Sequence, residues 1–121
     1  MIHLEEFRQI CIDGNLELAQ YLYLRYNITD EEAKAEDDET FKSAFESACE
    51  YGHLEVAKWL HTTFNITDDE AKSYDYYAFR LACQNGHVEV AKWLRETFHI
   101  TLPKLKSIIM RYYGEYMKIE G

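Results

Sequence analysis

The chain has 121 residues, of which 47% are apolar and 15% aromatic, and it carries a formal net charge of −9. This length suits a single domain, and the apolar content excludes a disordered chain. The negative charge argues against nucleic acid, whose binding depends on Lys and Arg neutralising phosphates, and against anionic membrane surfaces, so a protein partner is expected.

The first residues, Met1 to Glu6, lack the basic start and the apolar run of a signal peptide. No stretch approaches the ~20 apolar residues that a membrane-spanning helix needs. We therefore expect a cytoplasmic protein, with the nucleus as the alternative compartment. Glycosylation sequons begin at Asn27 and Asn65, but they recur at one repeat position and without a secretory signal, which favours a structural role.

The chain opens with two predicted helices, Leu4 to Ile12 and Leu16 to Tyr26. Phe7, Ile10 and Cys11 should face inward on the first helix. Gly14 suits the residue just past a helix C-terminus, because glycine tolerates the left-handed conformation. The opposite side of the first helix should be the polar outer face that a terminal repeat needs. Its residues are Glu5, Glu6 and Arg8.

This helix pair recurs along the chain. The segment Ala48–Leu60, ACEYGHLEVAKWL, returns 34 residues later as Ala82–Leu94, ACQNGHVEVAKWL, and a looser copy begins 38 residues earlier at Ile10. Self-similarity at such a period indicates stacked supersecondary units. We therefore predict an all-α helical solenoid of about three helix-turn-helix repeats with a C-terminal capping helix.

The three cysteines, Cys11, Cys49 and Cys83, occupy the same position in each copy. Equivalent positions on packed neighbouring helices lie roughly 8–10 Å apart, beyond the ~7 Å limit for the Cα atoms of a disulfide. We expect buried, reduced thiols. Trp59 and Trp93, also at equivalent positions, should belong to the core, with Tyr21 taking their place in the first copy.

Connectors join the helix pairs. Thr29 with Glu32, and Thr67 with Glu70, match the capping box that starts a helical turn, so the connectors should be partly helical. The four extra residues of the first interval fall within Ala35 to Thr40, an acidic tip. Residues 1–40 carry a net charge of −8 from 11 acidic and 3 basic side chains, whereas residues 101–121 carry +2 from 2 and 4.

The closing segment, Lys104 to Glu120, has apolar residues at helical spacing and predicts the capping helix. It begins like a fourth copy and then departs before any second helix. Gly114 weakens its helical propensity by about 1 kcal/mol relative to Ala.

The repeated segment resembles the ankyrin repeat, whose Ala-Ala-x-x-Gly-His-Leu-Glu-Val core matches from Ala48 and again from Ala82. The resemblance covers nearly the whole chain and implies one domain over residues 1–121. Its repeats would span approximately 1–34, 35–72 and 73–103, with a cap at 104–121. These long repeats look like those of large DNA viruses of amoebae.

Two departures from the ankyrin pattern concern the tips between helix pairs. The family's Thr-Pro-Leu-His opening is replaced by the segments that start at Ser43 and at Tyr77. Phe41 and Asp75 stand where a hairpin glycine is expected. Both departures argue against a regular β-hairpin finger.

No enzymatic site emerges from the residues. A catalytic thiolate needs an exposed, electropositive setting, whereas the cysteines recur at a packing position. His53 and His87 belong to the Gly-His turns, and no tight Cys/His pair seeds a zinc site. The acidic clusters are typical of solvated helix starts and loop tips. We expect no catalytic residue, no metal and no cofactor.

The ankyrin resemblance implies that partners bind at the tips and along the exposed side of the first helices. These candidate partner-binding residues are Glu39, Thr40, Lys42, Glu50, Tyr51, Ser73, Tyr74, Tyr76, Gln84 and Asn85. Tyrosine is enriched at binding hot spots, although some of these tyrosines could instead fill the gap left by the missing Thr-Pro.

The expected function is therefore a non-catalytic protein-interaction module whose acidic end steers a basic partner. The alternative is a structural or self-associating unit, a homodimer formed through an end or face of the stack. A monomer is the primary expectation.

Overall fold

The computed structural model describes residues 2–120, and it describes side chains over residues 3–113. Within this range the chain is all-helical, without strands, which confirms the predicted fold class. The elements are α1 (Ile2–Asp13), α2 (Leu16–Tyr26), α3 (Asp30–Lys34), α4 (Ala44–Glu50), α5 (Leu54–Thr63), α6 (Asp68–Ala71), α7 (Ser73–Gln84), α8 (Val88–Thr97) and α9 (Leu102–Glu120). None of the helices in the described part of the chain has the length and apolarity to cross a membrane.

Three helix pairs, α1 with α2, α4 with α5 and α7 with α8, stack in a row, and α4 packs between α1 and α7. The same turn closes each pair. Gly14, Gly52 and Gly86 adopt left-handed φ values of 79°, 77° and 73°. The N–H after each glycine then reaches back to a carbonyl five residues earlier, as from His53 to Ala48 at 2.9 Å. This satisfies a carbonyl that the helix end would otherwise leave unpaired.

The turn glycines also receive the next helix pair. The His53 ring lies against Gly14, and its Nε2–H donates to the Ile12 carbonyl oxygen at 2.7 Å. A Cβ on Gly14 would lie 2.4 Å from His53 Nδ1, and a Cβ on Gly52 would lie 2.4 Å from His87 Nδ1. Among the described residues, nothing lies within 4 Å of the corresponding point at Gly86. Lack of space therefore requires glycine at Gly14 and Gly52, and the left-handed backbone conformation favours glycine at all three positions.

Aromatic rings join neighbouring pairs in the core. Phe64 packs edge-on against Phe7 at 5.9 Å between ring centroids, and Phe98 packs in the same way against Phe45 at 6.2 Å. Phe64 and Phe98 are 0% and 2% exposed. Trp59 and Trp93 contact the core but are only half-buried, so the phenylalanines, and not the tryptophans, are its largest enclosed side chains. Tyr21, at the Trp position of the first pair, is exposed.

Cys11 and Cys49 are fully buried, and burial raises the pKa of the Cys11 thiol to about 12. The expectation of a buried Cys83 was wrong: this thiol is exposed. Cys11 and Cys49 are each covered by a complete following helix pair, whereas only the first helix position after the third pair is filled by the described part of α9. Neighbouring side chains still desolvate the Cys83 thiol in part, and this partial burial raises its pKa.

Both connectors are helical, as predicted. Thr29 and Thr67 accept hydrogen bonds from the N–H groups of Glu32 and Glu70, whose carboxylates accept the threonine N–H groups in return. Asn27 and Asn65, the first residues of the two sequons, have φ values of 48° and 54°. Asparagine tolerates this conformation well, so both residues act as helix stops.

The capping helix α9 begins two residues before its predicted start and lies against α7. Ile108 is buried in the core, Lys104 Nζ lies 4.0 Å from Asp75 Oδ1, and Arg111 pairs with the same carboxylate. The predicted apolar positions beyond Tyr113 fall outside the described side chains.

Replacement of the turn glycines separates backbone strain from lack of space. Ala at any of the three should cost about 1–2 kcal/mol for the left-handed conformation. Gly52→Ala should cost clearly more than Gly86→Ala, because only the former meets a histidine ring. Urea unfolding midpoints measure the difference, and adding His87→Ala to Gly52→Ala should remove the steric part. Equal losses at Gly52 and Gly86 would contradict this assignment.

The burial order of the aromatics predicts that Phe98→Ala is more damaging than Trp93→Ala. Loss of an enclosed Phe costs roughly 3–5 kcal/mol, a large share of a typical total of about 5–15 kcal/mol. The half-buried Trp93 should cost less, because part of its surface is already hydrated. Chemical denaturation of the two variants tests the order, and a larger loss for Trp93→Ala would reverse the core assignment.

Candidate functional site

A tip loop, residues 35–43, projects between the first and second helix pairs and is organised by one carboxylate. Asp37 Oδ2 accepts the N–H groups of Glu39 at 3.1 Å and Thr40 at 3.0 Å. The Asp37 N–H donates to the Lys42 carbonyl at 2.9 Å, and the Phe41 N–H donates to the Asp37 carbonyl at 2.8 Å. The Thr40 and Glu39 N–H groups lower the pKa of Asp37 by stabilising its charged form. The loop is therefore held in one shape by local hydrogen bonds.

Phe41, where a hairpin glycine was expected, adopts the glycine conformation, with a φ of 60°. Its ring is 69% exposed. A bulky residue at positive φ is a genuine outlier that the surrounding structure must stabilise. The Asp37 turn supplies this stabilisation and presents the ring to solvent.

Lys42 fastens the tip loop to the far end of α4. Its ammonium donates to both carboxylate oxygens of Glu50, at 2.9 and 2.8 Å. Burial alone would lower the pKa of Lys42, but the hydrogen bond and charge of Glu50 outweigh it and raise that pKa. Both partners are half-buried, so the ion pair links the tip loop to the end of α4, and neither charge is fully exposed to solvent.

The corresponding tip of the third pair is a kink at the start of α7, where Tyr74, Asp75 and Tyr76 have φ values of 53°, 56° and 61°. Arg80 satisfies the carbonyls that the kink frees, with Nε and Nη2 donating to Asp75 and Tyr74 at 3.0 Å each. The Tyr112 hydroxyl and the Arg111 guanidinium hold the pKa of Asp75 below its usual value. The kink is therefore tied to both α7 and α9.

The two tips are joined by one hydrogen bond. The hydroxyl of Tyr74, whose side chain is 60% exposed, donates to Glu36 Oε1 at 2.9 Å. This bond and the nearby negative charge raise the pKa of the Tyr74 hydroxyl. The two tips therefore form one continuous surface.

Two clefts flank the tip loop. The aromatic cleft has a volume of about 410 Å³. Its lining residues are Glu36, Thr40, Phe41, Tyr74, Tyr77 and Arg80. The polar cleft has a volume of about 330 Å³. Its lining residues are Glu5, Arg8, Gln9, Ile12, Asp37, Glu39, Thr40, Lys42 and Ser47. Thr40 borders both clefts.

The structure brings some of the predicted binding residues together. Glu39, Thr40 and Lys42 line the polar cleft, while Thr40 and Tyr74 line the aromatic cleft. Ser73 lies beside Tyr74, in a separate depression, and its hydroxyl donates to the Glu70 carbonyl at 2.8 Å.

Other predicted residues lie elsewhere. Tyr51, Gln84 and Asn85 lie at the C-terminal ends of α4 and α7 and line neither cleft. The Asn85 side-chain amide donates to the Leu81 carbonyl at 2.8 Å. Tyr76 is half-buried against the core, with the Lys104 ammonium 5.0 Å from its ring centroid.

Phe41 and Arg80 were not predicted for this surface, although an aromatic residue at a loop position where glycine is expected could have indicated Phe41. The prediction that Arg8 lies on the polar outer face was wrong. Arg8 is half-buried and lines the polar cleft, because α1 turns this side chain towards the tip loop. Among the described residues, its Nε and Nη1 atoms are buried without a hydrogen-bond partner.

Repeated helix pairs that bury their faces only against neighbours define a helical repeat protein. A family model for ankyrin repeats matches three copies over residues 7–103, and the chain belongs to the ankyrin-repeat family. Comparison with curated proteins and with solved structures gives no significant match. Ankyrin repeats are generally protein-interaction modules, and the family is typically non-catalytic. Over the described residues, no three His, Cys, Asp or Glu side chains are grouped to hold a metal ion.

The Asp37 turn should open in acid. Because the folded-state pKa of Asp37 is lowered, its stabilising hydrogen bonds are present above the ordinary carboxyl pKa of about 3.9 and are lost as pH falls through the folded-state value. Asp37→Ala should have the same effect at neutral pH. Faster amide hydrogen exchange at Glu39 and Thr40 reports the opening. Asp37→Asn, whose neutral amide mimics the protonated carboxyl, should accelerate exchange to an intermediate extent, and Asp38→Ala should change it far less. Equal acceleration by Asp37→Ala and Asp38→Ala would contradict the role of Asp37.

Proposed function

We propose that the chain is a non-catalytic interaction module that binds a protein partner through the tip loop and its two flanking clefts. The observation that carries the proposal is the pair Phe41 and Tyr74. Both are largely exposed aromatic residues at positive φ. The backbone of Phe41 is held by hydrogen bonds of the tip loop, and Tyr74 is held by Arg80 at its carbonyl and by Glu36 at its hydroxyl. Exposed aromatics that are already ordered give large contact area at a low entropic cost of binding.

The acidic side chains around these rings support a partner with a basic surface, because Lys42 and Arg80, which also line the clefts, are already bonded to Glu50 and to the Asp75 carbonyl. Glu36 borders the aromatic cleft, and Asp37 and Glu39 border the polar cleft. An Arg or Lys side chain of the partner could lie on the Phe41 or Tyr74 ring while its cation faces Glu36, which combines cation–π attraction with an ion pair. Residues 1–40 carry most of the net negative charge, so the field of the protein would steer such a partner towards this end.

The same proposal covers the organisation of the chain. We place one ankyrin domain over residues 1–121, with repeats at approximately 1–34, 35–72 and 73–103 and a cap at 104–121. The helical connectors α3 and α6 support the long repeat form that resembles proteins of large DNA viruses of amoebae. We propose a monomer in the cytoplasm, with the nucleus as the alternative compartment.

A specific observation favours self-association as a second candidate function. Leu18, Tyr21 and Tyr26 of the first pair are exposed. Their counterparts in the second pair, Val56, Trp59 and Phe64, pack inward. Light scattering over a range of concentrations separates the two candidates, because an interaction module with this surface free should stay monomeric.

Affinity purification tests the proposed surface. The double variant Phe41→Ala, Tyr74→Ala should recover its partner at least ~10-fold less well than wild type, as expected for the loss of hot-spot aromatics. Neither ring belongs to the core, so circular dichroism and the unfolding midpoint should change little. Tyr21→Ala, which removes an aromatic residue of similar exposure on α2, is the matched control. Identical recovery by the double variant and wild type would reject this surface.

A further inference from the structure

The packing between neighbouring helix pairs repeats twice and is then broken at the C-terminal end of the stack. His53 fills the space at Gly14 and His87 fills it at Gly52, while the space at Gly86 is open among the described residues. Cys11 and Cys49 are buried, and their counterpart Cys83 is exposed. In the first two pairs, the next pair covers this face. The equivalent face of the third pair is therefore exposed among the described residues.

A second set of contacts stops at the same place. Tyr23 packs edge-on against Trp59 and Phe64 of the next pair, at 5.8 and 5.3 Å between centroids. Its counterpart His61 packs in the same way against Trp93 and Phe98, at 5.7 and 5.0 Å. The corresponding residue of the third pair is Arg95, which is exposed.

The described side chains of the capping helix cover only part of this end. Contacts of α9 with Asp75 and Arg80 place it against α7, where the first helix of a fourth pair would lie. The place of a second helix, against α8, is left as a groove of about 300 Å³. Phe79, Cys83 and Leu105 contribute to its apolar lining, and Val88, which is 58% exposed, borders it. One helix is the element that would continue the existing packing.

The charge of this groove differs from that of the rest of the protein. Although the chain carries −9, the charged side chains that line the groove, Lys92 and Arg95, are both basic. A helix with carboxylates beside its apolar face would pair with them. A complete first pair of a second copy does not suit the site, because its α1 would occupy the place that α9 already takes.

We propose that this end groove binds a single amphipathic helix of a partner protein, with acidic residues bordering the apolar face of that helix. The helix would begin beside Gly86, where the absence of a Cβ leaves room for a histidine or asparagine side chain. An aromatic residue two turns later would pack on Arg95. This surface is separate from the tip loop and its clefts, so it can be tested independently of the function proposed above.

The probe is a peptide based on residues 85–99, the segment that makes the equivalent packing against the second pair. Its Trp93 and Phe98 face the preceding pair in the existing packing. Glu89 and Glu96, one turn either side of Trp93, supply carboxylates beside that face. A hydrocarbon staple is placed on the opposite, solvent side, because an unstapled helix of this length is only marginally stable. Fluorescence anisotropy with full-length protein should show saturable binding. At saturation the peptide should protect Cys83 from a thiol reagent at least ~10-fold, since Cys83 lies in the groove.

Charge reversal in the protein provides the matched comparison. Lys92→Glu should weaken peptide binding roughly tenfold, equivalent to about 1.4 kcal/mol. Lys58→Glu, at the equivalent position of the second pair and outside the groove, should have little effect. Ala91→Arg should abolish binding by filling the groove, with the helical circular dichroism signal retained.

Three results would overturn the proposal. One is equal affinity of the Lys92→Glu and Lys58→Glu proteins, another is a Cys83 thiol that stays reactive at saturating peptide, and a third is absence of binding by the stapled peptide. A concentration-dependent dimer that Lys92→Glu dissociates would show that a second copy occupies the groove, which would equally reject a partner helix.

Discussion

The stack depends on the seating of a histidine ring against the turn glycine of the preceding helix pair. The glycine has to end one helix in the left-handed conformation, and its missing Cβ makes the room that the imidazole takes. At the first junction the His53 imidazole also donates to the Ile12 carbonyl, so this residue constrains both the distance and the direction of the next pair. In the same register, Phe64 and Phe98 pack edge-on against Phe7 and Phe45.

A repeat array of this kind has two ends that are chemically different. At the N-terminal end, apolar side chains of α2 occupy positions that are buried in the later pairs. At the C-terminal end, α9 covers the first-helix position, and among the residues with described side chains nothing fills the second-helix position. Each repeat buries surface only against its neighbours, so the terminal faces are where an array gains or loses stability and where further helices can add.

At the tips, unfavourable backbone conformations are held in place by hydrogen bonds. Phe41 and the three residues from Tyr74 to Tyr76 all occupy the left-handed region, which costs non-glycine residues of order 1–3 kcal/mol each. The Asp37 turn, the Arg80 hydrogen bonds and the ties of Asp75 to α9 compensate for this cost locally. The result is an irregular, hydrogen-bonded surface beside a regular core.

The sequence by itself determined the repeat, the helix pairs, the capping boxes of the connectors and the glycine stops, because these features depend on residues within one turn or one helix. It could not determine that Cys83 is exposed, that the phenylalanines are more deeply buried than the tryptophans, or that Arg8 faces a cleft. These outcomes depend on how much of each pair its neighbour covers, and burial is a property of the whole stack. The conformation of Asp75 was likewise decided in part by tertiary structure, because Arg111 and Tyr112 of α9, 36 and 37 residues away, bind its carboxylate.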